Sequence, residues 1–129
     1  MRKVRMRVKD QPWFVSDTTI PDITWTINQL SMGLENTSPL AELSRKWSSY
    51  FETGVWVVKA DRFWTFPHSF NLMADTDPGL YQELGEALLV IFKGDLNYRK
   101  LVGDLNWETT ATFKSALQVL IITDVRILS

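Results

Sequence analysis

The chain has 129 residues, which is enough for one domain with a modest core and too few for two. Its net charge of −1 at pH 7 gives no reason to expect nucleic acid or an anionic membrane as a partner. Cysteine is absent, which excludes a disulfide framework, a zinc–thiolate site and a thiol nucleophile. Without disulfides, a signal-like start or a long apolar run, the sequence predicts an intracellular protein, in the cytoplasm, that does not enter the membrane.

Hydrophobic periodicity in the first half predicts strands at 4–8, 13–15 and 55–58 and helices at 22–32 and 40–51. In the first strand Arg5, Arg7 and Lys9 alternate with apolar residues, a pattern that places such cations on a solvated face. Asp17 follows the second strand. Its residue type fits either a metal ligand at a strand end or a turn or helix cap.

In the second half the same reasoning predicts helices at 78–86 and 113–117 and strands at 88–92 and 119–122. The six apolar residues 87–92 are typical of a strand buried on both faces inside a parallel sheet. Because strands alternate with helices, the predicted fold class is α/β, with residues 1–129 forming one domain. Its predicted architecture is a three-layer sandwich around a mainly parallel central sheet.

A polar cluster follows the predicted strand at 88–92. Gly94 allows a sharp turn, and the residues after it favour a helix as far as Gly103. Asp95, Asn97 and Arg99 then offer an acid, a carboxamide and a guanidinium at the carboxyl end of the strand, where α/β proteins bind ligands. The guanidinium suits a phosphate and the acid a metal or a sugar hydroxyl. The alternative is that Asp95 only caps a helix and Arg99 lies in solvent.

His68 is the only histidine, and it lies in the aromatic stretch 61–70. A single histidine excludes a two-histidine metal motif, and His68 has no identifiable base partner beside it, so we expect a structural role for it. The sequence also lacks a glycine-rich dinucleotide motif and a phosphate-loop lysine motif, which argues against nicotinamide or ATP binding.

Three stretches closely resemble signatures of the damage-control phosphatases, in the branch also described as acidic-residue, or protein-glutamate, methyltransferases. They are residues 12–19 (PWFVSDTT), 63–68 (FWTFPH) and 93–101 (KGDLNYRKL). The resemblance implies a metal-dependent phosphatase that acts on small sugar phosphates such as fructose phosphates and uses manganese, cobalt or nickel.

By this resemblance Asp17 matches a metal ligand that also contacts the substrate. The family's substrate-binding loop is matched by Asp95, Leu96, Asn97, Tyr98 and Arg99. We therefore expect Asp17 and Asp95 to face one cleft.

The chain departs from the family pattern in two places. The Asp-Asn pair that completes the family's metal site has no counterpart, and Arg126-Ile127-Leu128-Ser129 stands where an Arg-Thr-x-Lys motif follows the last strand. We therefore expect a partial domain, the later portion of the family domain, with weak or no activity alone. A non-catalytic fragment or binding module is the alternative function, and methyl transfer ranks below both.

Overall fold

A computed structural model describes residues 3–32, 37–118 and 125–128. They belong to two compact units, residues 1–66 and 67–129. Each unit combines helices with a pair of parallel strands, which confirms the α/β class and the parallel pairing. The three-layer arrangement and the single domain stay predictions. The described part of the chain contains no helix long and apolar enough to cross a membrane.

The first unit pairs strand β1 (Val4–Val8) in parallel with strand β2 (Trp56–Ala60), with Val4 opposite Trp56. Between them lie helices α1 (Ile20–Ser31) and α2 (Pro39–Glu52). Local signals begin both helices: Asp22 accepts a hydrogen bond from the Thr19 N–H before α1, and the Ser38 hydroxyl accepts one from the Leu40 N–H in α2.

An aromatic cluster packs α2 against β2. The rings of Trp47, Tyr50 and Phe51 lie 5.8, 5.0 and 5.5 Å from the Trp56 ring. These three residues belong to the apolar stripe that helical spacing places on one face of α2. The stripe therefore serves packing within the unit.

The second unit contains helices α3 (Met73–Thr76), α4 (Pro78–Gly85), α5 (Asp95–Leu101) and α6 (Phe113–Ala116). Strand β3 (Val90–Lys93) runs parallel to β4 (Val125–Leu128), with Val90 opposite Val125. The core of the second unit includes Phe70, Met73 and Leu101, which are fully buried. The Phe70 ring lies 5.3 Å from the ring of Phe92 in β3.

The prediction that the run 87–92 is buried on both faces is wrong. The strand begins at Val90, and burial alternates along it: Phe92 is 6% exposed and its neighbour Ile91 is 52% exposed. Leu88, before the strand, is 80% exposed. Within the described residues β3 has one strand neighbour, β4, so it is not the interior strand that an uninterrupted apolar run suggests.

The predicted helices agree with the structure to within two residues at each end, since helical spacing and capping residues coincide there. The strand predicted at 13–15 is wrong, because these residues form bends and a turn. The strand predicted at 119–122 lies outside the described residues. Residues 126–128 lie within β4 and do not follow the last strand. The 3-10 turns Arg62–Thr65 and Phe70–Leu72 and helix α3 were not predicted.

Candidate functional site

Asp17 closes the turn that replaces the predicted strand at 13–15. Its Oδ2 accepts hydrogen bonds from the N–H groups of Trp13 and Phe14, both at 2.9 Å, and its own N–H donates to the Phe14 carbonyl. A strand would have used those amides for pairing, so the carboxylate stabilises the turn in its place. Of the two roles that the sequence left open for Asp17, Oδ2 therefore has the role in a turn. Among the described contacts Oδ1 has no hydrogen-bond donor, so it stays available to a ligand.

A buried lysine lies beside this turn. Lys9 is 7% exposed, its Nζ donates to the Trp64 carbonyl at 2.5 Å, and its N–H donates to the Thr18 carbonyl. Burial lowers the pKa of the Lys9 ammonium, while the nearby carboxylates of Asp17 and Asp10 act to raise it. Lys9 thus connects the end of β1 both to the Asp17 turn and to the segment around Trp64.

The prediction that the basic residues in and directly after β1 lie on a solvated face is wrong at two of three positions. Arg5 is exposed, but the side chain of Arg7 is only 10% exposed and its Nη1 donates to Asp61 at 2.8 Å. Lys9 is buried, as described. Both depend on partners more than fifty residues away, and the local alternation carries no signal of them.

Lys9 connects two of the three signature stretches, because its N–H donates to the Thr18 carbonyl and its Nζ donates to the Trp64 carbonyl. The Asp10 carboxylate accepts a hydrogen bond from the Thr65 hydroxyl at 3.0 Å. Phe63 and Trp64 are buried, which anchors the second stretch beneath the end of β1. His68 is exposed, and its structural role stays a prediction. The first unit therefore places both Asp17 and Asp10 near the buried ammonium of Lys9.

The third stretch forms α5 of the second unit. Gly94 has a φ of 102°, a conformation that other residues rarely adopt, so the sharp turn expected there is confirmed. After this turn the chain forms helix α5. It contains all the residues that match the family's substrate-binding loop: Asp95, Leu96, Asn97, Tyr98 and Arg99. The Asn97 Nδ2 donates to the Lys93 carbonyl at 2.7 Å, which leaves its Oδ1 for a ligand.

Arg99 forms a two-point ion pair with Asp104. Nε donates to Oδ1 at 2.9 Å and Nη2 donates to Oδ2 at 2.7 Å. These hydrogen bonds lower the pKa of the Asp104 carboxyl and raise the pKa of Arg99. Arg99 is thus a charged, exposed group held in one orientation, and sequence reasoning missed its partner because Asp104 lies beyond the helix.

Asp17 belongs to the first unit and α5 to the second. That they face one cleft stays a prediction. Within the described residues no three histidine, cysteine, aspartate or glutamate side chains lie close enough to bind one metal ion. A divalent metal normally takes several oxygen ligands, so these residues do not form a complete metal site by themselves.

A separate cleft of about 490 Å³ lies between α1, α2 and β2. Its lining is largely apolar, from Ile20, Ile23, Ile27, Phe51 and Val58, with Glu52 as its one charged residue. None of the residues predicted to bind metal or substrate lines it.

Comparison with known proteins gives consistent matches. A family model described as the damage-control phosphatase ARMT1-like domain matches residues 1–126. The chain is 46% identical to damage-control phosphatase ARMT1 of Xenopus laevis over 115 residues, which cover 89% of this chain and 26% of that protein.

Two further relatives carry the same name. The Homo sapiens protein is 46% identical over 84% of this chain and 24% of its own length, and the Danio rerio protein is 40% identical over 91% and 26%. The chain therefore spans about a quarter of the length of the curated relatives it matches.

Proposed function

This chain belongs to the ARMT1-like damage-control phosphatase family, and from that premise we propose that it is part of a metal-dependent phosphatase that acts on small sugar phosphates. The observation that carries the proposal is α5, where the residues matching the family's substrate motif include an exposed, oriented guanidinium at Arg99. A guanidinium binds phosphoryl oxygens through paired N–H donors and offsets their charge.

The other matched residues of α5 have chemistry that suits the sugar. The Asp95 carboxylate and the Asn97 Oδ1 accept hydrogen bonds from hydroxyl groups, and the exposed Tyr98 phenol both donates and accepts. Leu96 is half-buried and apolar, so it is the one matched residue of α5 whose side chain offers no polar group to the sugar. Fructose phosphates carry several hydroxyl groups beside one or two phosphates, so they suit this combination.

Asp17 is proposed to supply one oxygen ligand, Oδ1, to a divalent ion such as manganese, cobalt or nickel. Its Oδ2 is already committed to two backbone N–H groups, which would hold the carboxylate in a fixed orientation. The remaining ligands would come from outside the described residues.

A second candidate function is a non-catalytic module that binds a sugar phosphate without hydrolysing it. The lack of a complete metal-ligand cluster within the described residues favours this alternative for the isolated chain. The two candidates share Arg99 as the phosphate-binding group and differ only in turnover.

The test is phosphate release from fructose phosphates with added manganese, measured for the wild-type chain, Asp17→Asn and Arg99→Gln. Asn at position 17 keeps an acceptor for the two amides of the turn while losing the charge. Glu52→Gln, in α2 and outside the proposed site, controls for loss of one exposed carboxylate.

We expect weak, manganese-dependent release that either site substitution abolishes, because losing one well-placed electrostatic group costs about a hundredfold in rate. Sugar-phosphate binding without turnover would assign the non-catalytic module. Turnover that survives both site substitutions would refute the roles proposed for Asp17 and Arg99.

A further inference from the structure

The loop that follows α5 is held in a strained backbone conformation. Among the described residues only Asp104 and Gln118 combine a side chain with a positive φ, at 53° and 56°. Both belong to this region, because a Cβ on Gly103 would lie 2.5 Å from the Gln118 Nε2. The Gln118 Oε1 in turn accepts a hydrogen bond from Asn71 at 2.6 Å. Such conformations are unfavourable for L-residues and persist where surrounding contacts impose them.

The strained loop holds one carboxylate against α5. Besides its two side-chain bonds to Arg99, Asp104 donates its N–H to the Arg99 carbonyl at 2.7 Å. Asp104 is therefore fixed to Arg99 through both backbone and side chain. The side chains of Arg99 and Asp104 are 52% and 60% exposed, and an ion pair so exposed contributes little to folding stability. The backbone hydrogen bond belongs to the C-cap of α5, whereas the two side-chain bonds add little stability and chiefly fix the orientation of the Arg99 guanidinium.

The geometry points to Asp104 as a positioning residue: we propose that it holds the Arg99 guanidinium by its Nε–Nη2 edge so that the adjacent Nη1–Nη2 edge is presented to a phosphoryl group. This inference rests on the proposed role of Arg99. A guanidinium has five N–H groups, and Asp104 engages Nε and one N–H of Nη2. Within the described contacts the two N–H groups of Nη1 and the second of Nη2 stay available. Fixing the long arginine side chain in advance lowers the entropy lost when an anion binds.

The experiment measures binding of inorganic phosphate to the full 129-residue chain at low ionic strength, by NMR titration. Asp104→Asn removes the charge while keeping a residue type that tolerates a positive φ. Asp104→Gly, which accepts the same backbone conformation, serves if the first variant does not fold. Glu108→Gln is the matched control, since it removes one negative charge from an exposed site in the same unit.

We expect Asp104→Asn to weaken phosphate binding about threefold to fivefold and the control to leave it unchanged. In an Arg99→Lys background the Asp104 substitution should change affinity less than about twofold, because lysine offers no fork to orient. Without phosphate, the Arg99 Nε–H should exchange with water faster in Asp104→Asn than in the wild type.

Tighter phosphate binding by Asp104→Asn would overturn the inference, since it would mean that the carboxylate competes with the anion. An unchanged Nε–H exchange rate, or an equal effect in the Arg99→Lys background, would also overturn it. Failure of the proposed function is distinguishable: phosphate binding that depends on Arg99 and Asp104 without sugar-phosphate turnover would refute hydrolysis alone.

Discussion

Phe92 and Ile91 are neighbours on β3 whose truncation to alanine should have very different costs. Phe92 is 6% exposed and its ring packs 5.3 Å from the fully buried ring of Phe70. Ile91 points away from that core and is 52% exposed. The pair tests whether β3, which leads into α5, is buried on one face or on both.

The expected magnitudes follow from this difference in burial. Truncating a buried phenylalanine costs about 3–5 kcal/mol in the free energy of unfolding, because apolar contacts are lost and a cavity remains. Ile91 leaves no closed cavity, and half of its side chain is already in water, so Ile91→Ala should cost about 1 kcal/mol or less. With a urea dependence of about 1.5 kcal/mol per M, the unfolding midpoint should fall by about 2–3 M for Phe92→Ala and by about 0.7 M or less for Ile91→Ala.

The assay is equilibrium unfolding in urea followed by circular dichroism, with Phe92→Leu as a milder variant if Phe92→Ala does not fold. Leu88→Ala, at an 80% exposed position before the strand, should leave the midpoint nearly unchanged. Equal losses for Phe92→Ala and Ile91→Ala would refute the reasoning, since they would show that both faces of β3 are buried.

Three further predictions concern backbone conformation and charge. Gly94→Ala should destabilise the chain by about 1–3 kcal/mol through its φ of 102° alone, whereas Gly103→Ala should cost more because its Cβ would also meet Gln118; thermal unfolding ranks the two. Hydrogen bonds from Thr19 lower the pKa of Asp22, so the stability they add is present above pH 3.8 and is lost as the pH falls through the lowered pKa. In urea titrations, the free energy of unfolding of Asp22→Asn should therefore fall less in acid than that of the wild type. Burial lowers the pKa of Lys9, so the unfolded chain binds more protons up to pH 10.5 and the wild type should gain stability relative to Lys9→Met as the pH rises toward that value.

Local chemistry predicted the elements whose ends are set by neighbouring residues. Ser38 and Pro39 begin α2, Pro78 stands at the start of α4, and Gly94 permits the turn before α5, all within a few residues of the pattern that signals them. The candidate substrate residues Asp95 to Arg99 were found in the same way, first as a polar cluster after an apolar run and then by resemblance. A contiguous motif can be recognised from the sequence without knowing which distant residues it contacts in the fold.

Burial and long-range pairing were decided by the tertiary structure. Arg7 lies on β1 and Lys9 directly follows it, and the alternation predicts that both face solvent. Instead they bind Asp61 and Trp64, more than fifty residues away, and both side chains are largely buried. The run 87–92 is apolar throughout, but only some of its residues are buried. Which ones are buried depends on the elements that pack against each face of β3.

The sequence by itself therefore determined the family, the α/β class and the position of the candidate substrate motif, because each depends on residues adjacent in the chain. Only the tertiary structure decided that Asp17 closes a turn, that Lys9 is buried beside it and that Asp104 holds Arg99. The physical reason is that charged groups and amides interact with whatever groups lie close to them in space, and the distances between residues far apart in the sequence are set by folding.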